Sequence, residues 1–386
     1  QDGLNAPDEP TGVAGTAGDT SVSVAFTAPS DVGASAITGF RAQVAGIGTS
    51  GTSSPLVVTG LTNGTSYTAN VWAINAFGTS APSGASASFS PAALTRGLFA
   101  GGYPGPVNEI DQINIASLGN ATDFGNLLAN KSNMGGVASS TRGVFAGDGN
   151  SVLNVIEYVA IATAGNSTDF GDLINKNSSQ GGTSNGTRGV FYGGYDGSPR
   201  TNRIEYITIA NTGNSTDFGD LINVGRSSAQ GMINSTTRGI IAAHDNGTNR
   251  TNDIEYITIA SAGNSTNFGD LTNVRNGNSG VGTVTRGVVC GGSTGGNGTV
   301  TMDYIAIAST GNATDFGDLN VGSDLGAGCS STTRGVIGTG KNGSGTRVDS
   351  MDYITIGTTG NGADFGNLIQ AKDQFSSVSN CHGGIA

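Results

Sequence analysis

The chain has 386 residues, 66 of them glycine, with only 12 % charged and a net charge of −11. That balance favours strands and turns over helices. It excludes a collagen triple helix, because nine prolines follow no Gly-X-Y period, and it argues against nucleic acid, which wants a basic surface. No apolar run approaches the ~20 residues of a membrane span, so no membrane insertion is expected. The three cysteines, Cys290, Cys329 and Cys381, cannot close a disulfide framework and are expected as buried thiols. The chain opens at Gln1 without a signal-peptide pattern, so a removed leader or further protein upstream is expected.

Residues 1–5 form a short lead-in. Residues 20–26 alternate with period two and predict a strand, a turn-rich break spans 29–36, and a second strand is predicted over 37–44. Further on, Tyr67, Ala69, Val71 and Ala73 alternate inward, which turns Trp72 outward. The stretch carrying Leu61, Gly64 and Tyr67, then Ala73, Asn75 and Gly78, resembles the second half of a fibronectin type III domain. The resemblance covers about residues 6–91 and implies a β-sandwich that acts as a spacer. It departs at Phe26, where the family usually carries Trp, and Phe26 still serves as a large core residue.

The remainder, 92–386, is repetitive. Thr-Arg-Gly recurs with Arg96, Arg142, Arg188, Arg238, Arg286 and Arg334, at spacings of 46 to 50 residues. Each arginine is followed by an acid in an apolar stretch (Asp111, Glu157, Glu205, Glu255, Asp303, Asp352) and then by a Phe-Gly pair. In the fourth repeat, 227–233, 238–243, 254–260 and 267–271 read as four strands. Four antiparallel strands repeated at this period predict a β-propeller blade. The first repeat lacks its first strand, and 374–386 supplies an unmatched one, with His382 in phase with the repeat. The C-terminal strand is therefore expected to complete the first blade and close a six-bladed ring.

The glycine doublets at 101–102, 193–194 and 291–292 and the third-strand tyrosines Tyr158, Tyr206, Tyr256, Tyr304 and Tyr353 resemble kelch repeats, with Phe of Phe-Gly in place of the kelch Trp. The expected fold is all-β: a fibronectin type III β-sandwich followed by a six-bladed kelch-like β-propeller. The repeat vocabulary also resembles virion structural proteins of marine tailed phages, cyanophages especially. That resemblance implies a tail fibre or surface appendage on the virion surface, with other virion proteins and a host cell-surface glycan as partners. A bacterial cell-surface or secreted adhesin is the first alternative, and a polysaccharide-cleaving enzyme the second. Homo-oligomerisation is compatible with this reading, although no heptad segment would drive it.

Charge sorts by position. The repeat arginines and third-strand acids are periodic and are expected to be structural, each arginine pairing with the acid or with the Asp beside Phe-Gly. The other basic residues, Lys131, Arg275 and Lys372 among them, are assigned to loops at the opposite end of the repeats. There the candidate binding residues are Tyr103, Tyr195, Arg200, Arg203, His244 and Arg250, because rigid scaffolds carry function on variable loops and Tyr and Arg are favoured in contacts. No catalytic residue, cofactor or metal is expected. Only two histidines exist, and a copper site would need several imidazole and phenolate ligands. The Gly-x-Gly-x-x-Gly run at 338–343 precedes no helix and reads as a hairpin. Asn-x-Ser/Thr at Asn120, Asn166, Asn214, Asn264 and Asn312 fits glycan acceptors in a eukaryotic secreted protein, but a tight Gly-Asn turn explains its regularity more simply.

Overall fold

The computed structural model describes residues 5–92, 95–105, 107–149, 151–197, 200–223, 233–245 and 249–381. The chain forms two compact units, Gln1–Leu94 and Thr95–Ala386. Among the described residues there is no helix.

The first unit contains β1 (Thr11–Gly18), β2 (Ser21–Thr27), β3 (Ile37–Val44), β4 (Ile47–Gly51), β5 (Leu56–Thr59), β6 (Ala69–Asn75) and β7 (Gly78–Thr79). They form two antiparallel sheets, ordered β1-β2-β5 and β4-β3-β6-β7. Alternation decides which side chains meet between them. Val22, Val24 and Phe26 of β2 face Phe40, Ala42 and Val44 of β3 and Ala69, Val71 and Ala73 of β6 in one buried cluster. Phe26 fills the expected core position and stacks on Phe40 at 4.8 Å. Trp72 points to the other face of β6, where the Arg41 guanidinium lies over its ring at 5.5 Å.

The second unit contains six separate antiparallel sheets, one per repeat. Every second strand opens on the repeat arginine: Arg96–Ala100, Arg142–Ala146, Arg188–Tyr192, Arg238–Ala242, Arg286–Cys290 and Arg334–Gly338. Five sheets have four described strands. In the fourth sheet three strands are described, and the first strand expected at 227–233 lies almost wholly outside the described residues. The first sheet takes its missing strand from the C-terminus. Ser376–Ser379 pairs antiparallel with Arg96–Ala100, Ser377 opposite Phe99. His382 lies outside the described residues.

Apolar layers fill the spaces between consecutive sheets. Phe170 and Leu173 of the second sheet pack on Phe191 and Ile207 of the third, and the layers between the later sheets are built alike. Met351 and Phe365 of the sixth sheet pack on Phe99 and Ile113 of the first. Leu98 and Phe124 of the first pack on Phe145 and Val159 of the second. Each sheet thus buries both faces, which is why the third strands read as apolar throughout.

Four of the fourth strands run longer than the sequence suggests, as Thr122–Lys131 and Thr266–Arg275 do, whereas Thr216–Asp220 and Ala363–Asn367 stop before the Leu after Phe-Gly. The glycine of Phe-Gly sits at a register shift with a left-handed φ (147° at Gly125), so alternation breaks there and the rest of the strand is masked.

Candidate functional site

In a meander, the first-to-second and third-to-fourth turns lie at one end of each sheet, and the second-to-third loops at the other. The two ends, the turn side and the loop side, are bonded differently.

On the turn side the repeat arginines do not pair with acids. Arg142 stands opposite Ala160 in the strand register, so Tyr158 lies on its face and Glu157 points to the other. The guanidinium therefore lies over the tyrosine ring, at 4.3–4.8 Å in five repeats. The first repeat has Gln112 at the tyrosine position, and Arg96 lies over Phe124 instead, at 5.6 Å. Each arginine also donates to a carbonyl of the next sheet. Arg96 reaches Ile161, Arg142 Ile209, Arg188 Ile259, Arg238 Ile307 and Arg286 Ile356, and Arg334 of the sixth sheet reaches Ile115 of the first.

The Gly-Asn turns form a second set of bonds. Gly165 N–H donates to Phe124 O at 2.7 Å, Ser167 N–H to Asn126 O at 2.8 Å, and the Asn166 side-chain oxygen accepts Asn126 N–H at 3.0 Å. The same clasp joins every consecutive pair, including the sixth sheet to the first through Asn120 and Asn367. Asn361, which lies in no Asn-x-Ser/Thr triplet, makes the bond at 3.1 Å. The asparagines are thus explained by the clasp alone. A Cβ on Gly125 would fall 2.4 Å from Gly165 O, so only glycine permits this approach.

The third-strand acids complete the edge. All six are buried. Each accepts a backbone N–H from the fourth strand of the preceding sheet or from two residues beyond it, as Glu157 does from Leu128 at 2.7 Å and Asp111 from Ile369 at 3.2 Å. Clasp and acid together satisfy an edge that would otherwise invite pairing with another chain. Lys131, Arg275 and Lys372, assigned above to loops, are fully buried: Lys131 and Arg275 end fourth strands, and Lys372 lies in the segment after one. They pair with Glu157, Asp303 and Asp111. A buried carboxylate needs such a counter-ion.

The sandwich has its own polar signature. Asn75, buried at the end of β6, donates to the carbonyls of Asn5 and Val32 and accepts from the amides of Phe77 and Gly78. The Tyr67 hydroxyl accepts Thr62 N–H at 3.1 Å. Residues 8–89 match the fibronectin type III domain. No curated protein matches the chain. The fibronectin type III domain contributes none of the candidate binding residues.

On the loop side, the structure splits the six candidates. Three converge where the third and fourth sheets meet. Tyr195 bridges to Ser178 and Arg200. Arg200 donates to Asp245 O at 2.7 Å and forms an ion pair with the Asp245 carboxylate. Arg250 bridges to Asp245 and reaches across to Asn276 of the fifth repeat at 2.9 Å. Tyr103 lies apart, 41 % exposed, with the Arg347 guanidinium over its ring at 4.5 Å. Arg203 is half-buried and His244 is buried. Arg203 pairs with the buried Glu205 at 3.3 Å. His244 is 4 % exposed, and burial lowers its pKa, which keeps the ring neutral at pH 7. An apolar flank (Ile241, Ala242, Ala243) draws it inward, a cue present in the sequence.

The sequence reading missed a second charged group on this side. Asp373, fully buried, pairs with Lys341 at 3.2 Å and Arg347 at 2.7 Å. Asp324, whose backbone is bonded both ways to Lys341, has its carboxyl pushed up to about 6 by burial, with Asp373 adding to the rise. No motif marks these residues, because Lys341 and Arg347 sit in one irregular loop and meet Asp373, from the segment after the sixth sheet, only in the fold. The run 338–343 ends a second strand and enters this loop, with no phosphate-binding helix behind it. All three cysteines are free and buried, and burial pushes the Cys290 thiol up to about 12.

Proposed function

We propose that the six sheets form a six-bladed, kelch-like β-propeller that a fibronectin type III domain carries as a spacer. Its loop side attaches a virion of a marine tailed phage to a host-surface polysaccharide, as a tail fibre or surface appendage. The ring is supported by the arginine, clasp and acid bonds, each of which joins the sixth sheet to the first as it joins the others. The phage reading rests on the repeat vocabulary.

The observation that carries attachment is the contrast in what is used up. The periodic arginines, asparagines and acids are consumed in bonds between sheets, which leaves the aperiodic loops as the variable surface. Those loops are pinned to one another by Arg200–Asp245, Arg250–Asn276 and Arg347–Asp373, so a ligand would meet a preorganised face. The same consumption of the acids favours a non-enzymatic role.

Tyr103 and Tyr195 are the residues to test. Replacing both with Ser should lower binding to host cells at least tenfold, about 1.4 kcal/mol, with little change in melting temperature. Arg200, Arg203 and Arg250 are unsuitable for that test, because each holds a carboxylate or a neighbouring loop. Undiminished binding by the double variant would remove this face as the attachment surface. Antibody labelling of virions, with no label on bare cell envelopes, would support the phage assignment, and the converse would favour an adhesin.

A further inference from the structure

We propose that the junction between the fifth and sixth sheets binds a potassium-sized monovalent cation at Asp352. In the junctions that hold Lys131, Arg275 and Lys372, the buried acid of one sheet meets a cation from the end of the preceding fourth strand or from the segment after it. Between the second and third sheets that position is Asn177, and Arg203, two residues before the acid on its own strand, supplies the charge instead.

The fifth-to-sixth junction has neither. The fourth-strand position is Ser323, and the position two before the acid is Ser350. Asp352 is nevertheless 1 % exposed and accepts Val321 N–H through one oxygen, at 3.0 Å. Its other oxygen, Oδ1, has no hydrogen-bond partner.

The surroundings are built from hydroxyls. Ser323 Oγ donates to Thr339 O at 2.8 Å, and Thr339 Oγ1 and Ser350 Oγ share a hydrogen bond at 3.0 Å. Ser350 lies two before Asp352, so strand alternation places it on the carboxylate's face, and the bond from Ser323 to Thr339, the partner of Ser350, brings Ser323 to the same junction. Thr299, opposite Ser323 in the register, has a buried Oγ1 without a partner. One buried carboxylate among neutral hydroxyls, with Asn320 beside it and the exposed Asp364 opposite it in the register, suits a singly charged, weakly hydrated ion of ammonium or potassium size. A divalent ion would want several carboxylates.

The test is thermal unfolding of the full chain at pH 8 in potassium chloride against choline chloride at equal ionic strength. The melting temperature should rise saturably with potassium, by roughly 2–4 °C once the site is filled. Ser323→Lys should melt higher than the parent in choline and lose the potassium response. Asp352→Asn, which keeps an acceptor for Val321 N–H, should also lose it. Equal melting of the parent in the two salts would overturn the proposal, with Asp352 then held as the neutral acid. An undiminished potassium response in Ser323→Lys would overturn it as well.

Discussion

The two sides of the repeat unit keep the same sheets together by opposite means. On the turn side one solution is copied: an arginine over an aromatic ring, a Gly-Asn clasp and an acid that caps the strand edge. On the loop side each junction differs. Lysine serves in two places and arginine in two, Arg275 from the fourth strand and Arg203 from the acid's own strand, while serine stands at both positions in the fifth-to-sixth junction. Where geometry must recur for sheets to stack, the sequence is periodic. Where it need only be locally compatible, the sequence is free to vary, and a binding surface can be built there.

The largest test of this contrast removes a part that both sides share. Deleting 375–386 takes away the strand opposite Arg96–Ala100 and the Phe375 ring that meets Phe99 at 5.8 Å. It exposes the sixth-to-first layer, and cooperative unfolding in a urea melt should be lost. If the melt stayed as steep as the parent's, the six sheets would not depend on one another.

The next test is confined to the loop side. Lys131→Met should cost about 3–5 kcal/mol in urea unfolding, because it leaves Glu157 charged, buried and without its ammonium. Lys131→Met with Glu157→Gln should recover much of that loss. A single variant as stable as the parent would mean that the buried pairs are dispensable.

Asp324 gives the same side a pH dependence. Its folded pKa, about 6, lies above the ordinary 3.8, so the folded state holds the proton more tightly. The sign follows by linkage: the contribution is fully present below pH 4 and is lost as pH rises through 6. Asp324→Asn should remove this step, leaving the variant up to about 3 kcal/mol more stable relative to the parent at pH 8 than at pH 4. Parallel pH profiles for the two proteins would refute the assignment.

What was legible in the sequence divides along the same line. The repeat period placed all six second strands, because Thr-Arg-Gly recurs at the turn side. The C-terminal strand was visible as an unmatched element, and the sandwich strand Ile37–Val44 was visible from alternation. The arginine's partner was misread because spacing alone does not rank an acid above a ring. Strand parity does, since Glu157 and Tyr158 point to opposite faces. The buried cations were misread for another reason. They lie past the Phe-Gly bulge, where alternation fails, so the strand ends at Lys131 and Arg275 looked like loops, and nothing local marked Lys372 as buried. Residues such as Asp324 and Asp373 carry no local pattern, and only the juxtaposition of several repeats reveals them.

The smallest test asks whether the turn-side copies are equivalent. Arg142 lies over Tyr158 at 4.6 Å and donates to two carbonyls, Ile209 and Ala210. Arg96 lies farther from Phe124, at 5.6 Å, and donates to the Ile161 carbonyl. Lysine keeps the charge but cannot fork between two oxygens or lie flat on a ring. Arg142→Lys should therefore cost about 1–2 kcal/mol and Arg96→Lys less than half of that, compared by urea melts at the same pH. Equal losses would show that charge near the carbonyls is what matters. The tyrosine of the repeat would then be present for its apolar packing against Phe170 and its equivalents rather than as a seat for the arginine.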